Sequence, residues 1–135
     1  WEGTTNILSL DALRALERGD ALPEWASDVR RRLSGAKASA LSSYTEQILR
    51  AVDRIEEYVG RAASAGSEFQ QAGARGFAFG VARTEVATLL VEHANAEADH
   101  AAMISAKRWC ARELAPLVEA DAEYRAGSVT LENGG

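Results

Sequence analysis

Leu41, Tyr44, Ile48, Val52, Ile55, Val59 and Ala62 follow one another at spacings of three or four residues. Between them stand Glu46, Arg50, Asp53, Arg54, Glu57 and Arg61. That spacing predicts a one-sided helix over about 37–64, broken by Ala65-Gly66-Ser67. An isolated helix does not bury such a stripe, so other elements must cover it. No segment alternates with period two. The sequence holds 27 alanines and only two prolines in 135 residues, a composition that favours helix for the covering elements as well. The expected fold is therefore all-α, an antiparallel bundle of long helices joined by short loops, four-helix-bundle-like.

The remaining segments fit that scheme. Ile7, Leu10, Leu13 and Leu16, with Leu8 and Ala12 alongside, predict a helix of about three turns, with Thr4, Thr5 and Asn6 as cap candidates and Gly19 as a stop. Pro23 suits the first turn of a short helix carrying Trp25, Val29 and Leu33 and ending at Gly35. Residues 68–94 are apolar over most of their circumference, with Phe69, Phe77, Phe79, Val81, Val86, Leu89, Leu90 and Val91. They are expected to form the most buried helix. Gly73, Gly76 and Gly80 lie roughly on one side of it. Each costs about 1 kcal/mol of helix propensity relative to Ala, which points to close helix approach along that side. A last helix is expected over 99–114, with Met103, Ile104, Trp109 and Cys110 as core, then Pro116, a short continuation to Tyr124 and a loose tail.

Composition excludes several classes of function. Hydrophobic residues make up 47% and charged residues 26%, a globular composition, and no apolar run approaches the roughly 20 residues of a membrane span. One cysteine excludes an internal disulfide framework and fits a reducing, cytoplasmic compartment. The net charge of -5 opposes broad attraction to nucleic acid. Arg30-Arg31-Arg32 is the one basic run, and cations suit the last turn of a short helix. Residues 36–135 carry 10 basic and 14 acidic side chains, so no basic face follows from it. Glu97-Ala-Asp-His100 is half of a di-iron carboxylate pattern, but its second half would need histidines the sequence lacks, and Asn95 and Asp99 read as a helix stop and a new cap. No metal site is expected. Cys110 reads as a buried structural thiol, with no basic partner in the sequence to activate it. Phosphate-loop, dinucleotide-fingerprint and zinc spacings are all missing.

The segment Trp1-Glu2-Gly3-Thr4-Thr5-Asn6-Ile7-Leu8-Ser9-Leu10-Asp11 resembles the acyl-CoA dehydrogenase family, in which an aromatic-Glu-Gly-Thr stretch opens a late helix of the C-terminal helical domain. Its Trp, its Leu-Asp pair and the following Ala-Leu-Arg look closest to the adaptive-response (alkylation-response) branch. Ala82-Arg83-Thr84-Glu85, Leu89-Leu90-Val91-Glu92-His93-Ala94 and Arg108-Trp109-Cys110 are similar to the helical extension of that branch. The resemblance implies a C-terminal part of a flavin-dependent enzyme that removes an α-proton from an acyl-CoA thioester and passes the β-hydrogen to FAD as hydride. It implies Glu2 as the catalytic base, and Gly3, Thr4 and Asn6 as flavin contacts. A carboxylate in an apolar pocket has a raised pKa and serves as a base near neutrality. Gly3 permits close backbone approach, and the start of a helix suits phosphate.

On this reading residues 1–20 end the catalytic helical domain, 21–126 form an appended bundle and 127–135 a flexible tail. The chain begins at Trp1 with neither an initiator methionine nor a secretory signal, and reads as a fragment of something longer. By itself it is expected neither to bind FAD nor to turn over substrate. The resemblance further implies the rest of a catalytic body as partner and a homo-oligomer. Two other functions remain open from the residues: a non-catalytic helical interaction or oligomerisation module, and a DNA-associated adaptive-response domain.

Overall fold

The computed structural model describes residues 19–97, 100–112 and 114–115. The expected helix at 7–18, the continuation from Pro116 to Tyr124 and the tail at 127–135 lie outside the described residues. Among the described residues four helices follow one another: α1 (Ala21–Ser34), α2 (Ser42–Ser64), α3 (Ser67–Glu97) and α4 (His100–Cys110). A short 3-10 turn, Ser39–Leu41, leads into α2. The described residues are all-helical, as the apolar spacing predicts.

Long-range contacts fix the directions. Trp25, Arg32 and Gly35 reach Glu85, Glu92 and Asn95 respectively, so α1 and α3 rise together. The tight connection at Ala65-Gly66 turns α3 back along α2. The result is an up-down-up-down bundle.

The stripe on α2 is the heart of the core. Leu41, Ile48, Val52 and Ile55 are fully buried, Val59 and Ala62 nearly or wholly so. Each such aliphatic side chain contributes about 1.5–3 kcal/mol through loss of apolar surface to water. Tyr44 is only half-buried, and Tyr58, which the three-four spacing skips, is enclosed instead. It stacks between Phe69 and Phe77, with ring centroids 5.6 and 6.1 Å away. A Cβ placed on Gly73 would stand 1.9 Å from its phenolic oxygen and 2.5 Å from Cζ. Gly73 thus makes the seat for the phenol, the close approach that the glycines of α3 predict. Gly80 is buried too, but a Cβ there would meet Ala115 at 3.6 Å and Ile55 at 3.7 Å, which is ordinary contact.

The expectation for α3 needs correction. Its buried face is Ala74, Phe77, Gly80, Thr84, Ala87, Thr88, Val91 and Ala94. Small residues dominate it and let α2 and α4 come close. Phe79, Val86 and Leu89 are exposed, at 43%, 37% and 52%. At 100° per residue these three fall within about 80° of one another, on the side away from the buried face. A helix in a four-helix layer offers only part of its circumference to neighbours, and the small residues occupy that part. The same holds on α4, where Ala102, Ala106 and Cys110 are buried while Met103, Ile104 and Trp109 are only partly covered.

The boundaries also shift. The helix expected from 37 begins as a 3-10 turn at Ser39, and α4 stops at Cys110. Asn95, expected to stop α3, lies inside it. Its amide donates to Gly35 O at 3.2 Å and its oxygen accepts from Ala38 N at 3.4 Å, which fixes the α1–α2 connector. Gly35 does end α1, its N–H reaching back to Arg32 O.

Two outcomes follow. Gly73→Ala should destabilise the bundle by about 1–2 kcal/mol in urea unfolding, because the clash with Tyr58 outweighs the gain in helix propensity. Gly80→Ala should be neutral or stabilising by up to about 1 kcal/mol. Tyr58→Phe should relieve Gly73→Ala only in part, since Cζ remains in the way.

Cys110 gives the second. Burial pushes its thiol up to about 11. In the folded chain it should resist a thiol reagent at pH 8 and react at once on unfolding. A thiol raised by folding favours the native state below the unfolded value near 8.5. That contribution disappears as pH climbs to about 11, so Cys110→Ala should flatten the alkaline end of the stability profile.

Candidate interaction face and charged joint

Arg32 is the centre of the joint between α1 and α3. The helix turns its guanidinium inward, leaving the side chain 17% exposed. Its Nε and NH2 donate to Glu92 Oε1 at 2.9 and 2.5 Å, and NH1 donates to Glu85 Oε1 at 2.8 Å. Asp28, one turn earlier, lies 3.3 Å from NH1. The other oxygen of Glu85 accepts the indole N–H of Trp25 at 3.0 Å. A planar fork with several fixed donors suits this arrangement better than an ammonium would. The hydrogen bonds to Glu92, set against the cost of burial, leave the Arg32 guanidinium harder to deprotonate than a free one.

Arg30 makes a parallel joint to α2, donating to Glu56 and, at 2.7 Å, to Asp53. Arg31 points outward and bonds Asp28, which holds that carboxyl below its ordinary range. All three arginines of the basic run are therefore matched with carboxylates of the chain. Sequence spacing alone does not find these partners, because Asp53, Glu56, Glu85 and Glu92 lie 23 to 60 residues away.

The outer face of α3 is the second feature. Arg75 and Arg83 place their guanidiniums 5.5 and 5.7 Å from the centre of the Phe79 ring. Two cations thus flank the ring, which stays partly open to solvent. Val86 and Leu89 continue the apolar stripe toward the C-terminal end of the helix.

The sequence candidates fall in different places. Glu2, Gly3, Thr4 and Asn6 lie outside the described residues. Glu97 lies on α3 and His100 on α4, so the two side chains stand on different helices. Among the described residues no group of three His, Cys, Asp or Glu side chains converges on a metal-sized point. Cys110 is buried at 4% exposure, as a structural thiol should be. Trp109 is half-buried and donates its indole N–H to Arg83 O at 2.9 Å, which ties α4 to α3. No helix among the described residues is long and apolar enough to cross a membrane.

No curated protein and no solved structure matches the chain. A family model does, the one described as Acyl-CoA dehydrogenase 11 C-terminal domain-like, over residues 20–133. The matched segment takes in the whole bundle and most of the chain. With its all-helical architecture and the motifs on α3 and α4, the chain belongs to the Acyl-CoA dehydrogenase 11 C-terminal domain-like family.

Proposed function

We propose that this chain is the C-terminal helical portion of an FAD-dependent acyl-CoA dehydrogenase-like protein, and that its bundle packs on the catalytic body through the outer face of α3. The observation that carries the reading is the family match over residues 20–133, which adjoins the Trp-Glu-Gly-Thr motif at the chain's start. Residues 1–20 then close the catalytic helical domain, 21–126 are the appended bundle and 127–135 its tail. The Trp1–Asp11 stretch and Arg108-Trp109-Cys110 support a place beside the adaptive-response branch. A cytoplasmic location and a homo-oligomer go with the same reading.

The chemistry assigned to this chain is limited to a few groups. Glu2 takes the α-proton of the acyl thioester; an apolar surrounding raises its pKa and makes it a competent base. Gly3 leaves room for the ligand, while Thr4 and Asn6 offer hydroxyl and amide groups at the start of a predicted helix, a donor set suited to the phosphates of a dinucleotide. FAD, when bound, supplies the acceptor for the β-hydrogen. On this reading Gly3, Thr4 and Asn6 are this chain's contacts to a flavin site completed by other domains.

An apolar stripe rimmed by Arg75 and Arg83 supports the packing role, since such a face on a helix bundle marks contact with another protein surface. A second reading rests on the same stripe, a non-catalytic module that associates with copies of itself. It differs in requiring concentration-dependent dimers of the 135-residue chain, which sedimentation would detect. Association with DNA through Arg30–Arg32 has no such support, as those cations already face carboxylates.

In the longer polypeptide, Glu2→Gln should abolish thioester oxidation while flavin absorbance is retained; unchanged turnover would refute the base. The 135-residue chain mixed with FAD should show no flavin binding, and appreciable binding would refute the division proposed here. Leu89→Asp should change the unfolding free energy of the 135-residue chain by less than about 0.5 kcal/mol, as for an exposed site. In the longer polypeptide the same change should cost about 1–3 kcal/mol, the penalty of a charge in an apolar interface. Equal, small effects in both would remove α3 as the packing face.

A further inference from the structure

The arginines of the basic run are matched with carboxylates, but for three others no carboxylate partner is found among the described residues. Arg50 and Arg54 stand one turn apart on α2, and Arg112 follows the end of α4. With Gln47, Cys110 and Leu114 they line a cleft of about 300 Å3. No Asp, Glu or His is among the described residues lining it. The guanidinium carbon of Arg112 lies 5.6 Å from the centre of the Trp109 ring, a stacking contact that fixes the head group in place. The Nε of Arg54 and the Oε1 of Gln47 are buried and make no hydrogen bond. A buried donor of this kind costs about 1–3 kcal/mol when left unmatched.

Three cations gathered in one recess of a chain with net charge -5 require an explanation. Guanidiniums repel one another unless an anion lies between them. The C-terminal carbonyls of α4 bring roughly half a negative charge to this end, well short of three positive ones. We propose that this cleft binds a phosphoryl group, carried by a small phosphorylated molecule. Arg50, Arg54 and Arg112 supply charge-assisted hydrogen bonds to its oxygens, and the Gln47 amide, turned to present its NH2, adds another. Guanidinium geometry matches phosphate in two-point fashion. The three arginines line one cleft rather than a long stripe, which suits a single phosphate and not the repeating phosphates of a duplex. The proposal does not depend on the flavin reading.

The experiment is calorimetric titration of the 135-residue chain with inorganic phosphate at fixed ionic strength, with chloride as the blank. Binding with a Kd of about 1 mM or tighter is expected. Arg54→Gln and Arg112→Gln should each weaken it about tenfold or more, the loss of one charge-assisted hydrogen bond. Arg31→Gln, outside the cleft, should leave it unchanged, and circular dichroism verifies that each variant keeps its helices. No heat with phosphate, or equal weakening by Arg31→Gln, would overturn the site. Two further probes, glucose 1-phosphate and a 20-base-pair duplex, distinguish the sources. Preference for the sugar phosphate, lost in Arg54→Gln, supports the proposal. Tighter binding of the duplex, lost in the same variant, overturns the assignment to a small molecule.

Discussion

The bundle depends on a face of α3 that is made small. Gly73, Ala74, Gly80, Thr84, Ala87, Thr88 and Ala94 bring few side-chain atoms to the seam, so the large residues of α2 fill the space between the two helices. Tyr58 shows the principle at its sharpest. Its ring lies between two phenylalanines and its hydroxyl end occupies the volume that any side chain on residue 73 would take. Large-to-small complementarity of this kind approaches the density of protein interiors, where a single methyl group matters. The positions of α1 and α4 follow, because both pack on the frame that α2 and α3 make. Polar atoms in the seam are costly, and Thr88 avoids the cost by donating its hydroxyl to Thr84 O at 2.8 Å.

Much of this fold is legible in the sequence, but unevenly. The α2 stripe reads directly because its far side is charged, and contrast is what a periodic pattern needs. On α3 both sides are apolar, so periodicity gives the helix but not its orientation. Size is the better guide there. Ala, Gly and Thr at helical spacing mark the buried side, whereas Phe79, Val86 and Leu89 mark the outer one. Asn95 reads as a helix stop but lies inside α3, because its amide is used for bonds to Gly35 and Ala38 rather than for a cap. Residues far apart in sequence produce those bonds, and no local rule anticipates them.

Charge shows the same limit. Read along the chain, Arg30-Arg31-Arg32 is the conspicuous basic feature, and Arg50, Arg54 and Arg112 are scattered. In three dimensions the roles exchange. The run is neutralised by carboxylates from α1, α2 and α3, and the scattered three line one cleft that has no carboxylate among its described residues. Net charge describes the whole molecule and is silent on such sorting. For the catalytic motif the family resemblance, not the fold, provides the assignment of Glu2, Gly3, Thr4 and Asn6, since the motif precedes the described residues.

The clamp formed by Asn95 has a consequence for the order of assembly. One amide satisfies both a carbonyl and an N–H of the α1–α2 connector, across separations of 60 and 57 residues. Bringing those ends together closes a loop that contains all of α2 and nearly all of α3, and loop closure must precede any gain from the contact. The α2–α3 hairpin, joined by a short turn, assembles without that delay. Loop-closure cost therefore places the docking of α1 after the hairpin has presented Glu85, Glu92 and Asn95 in line.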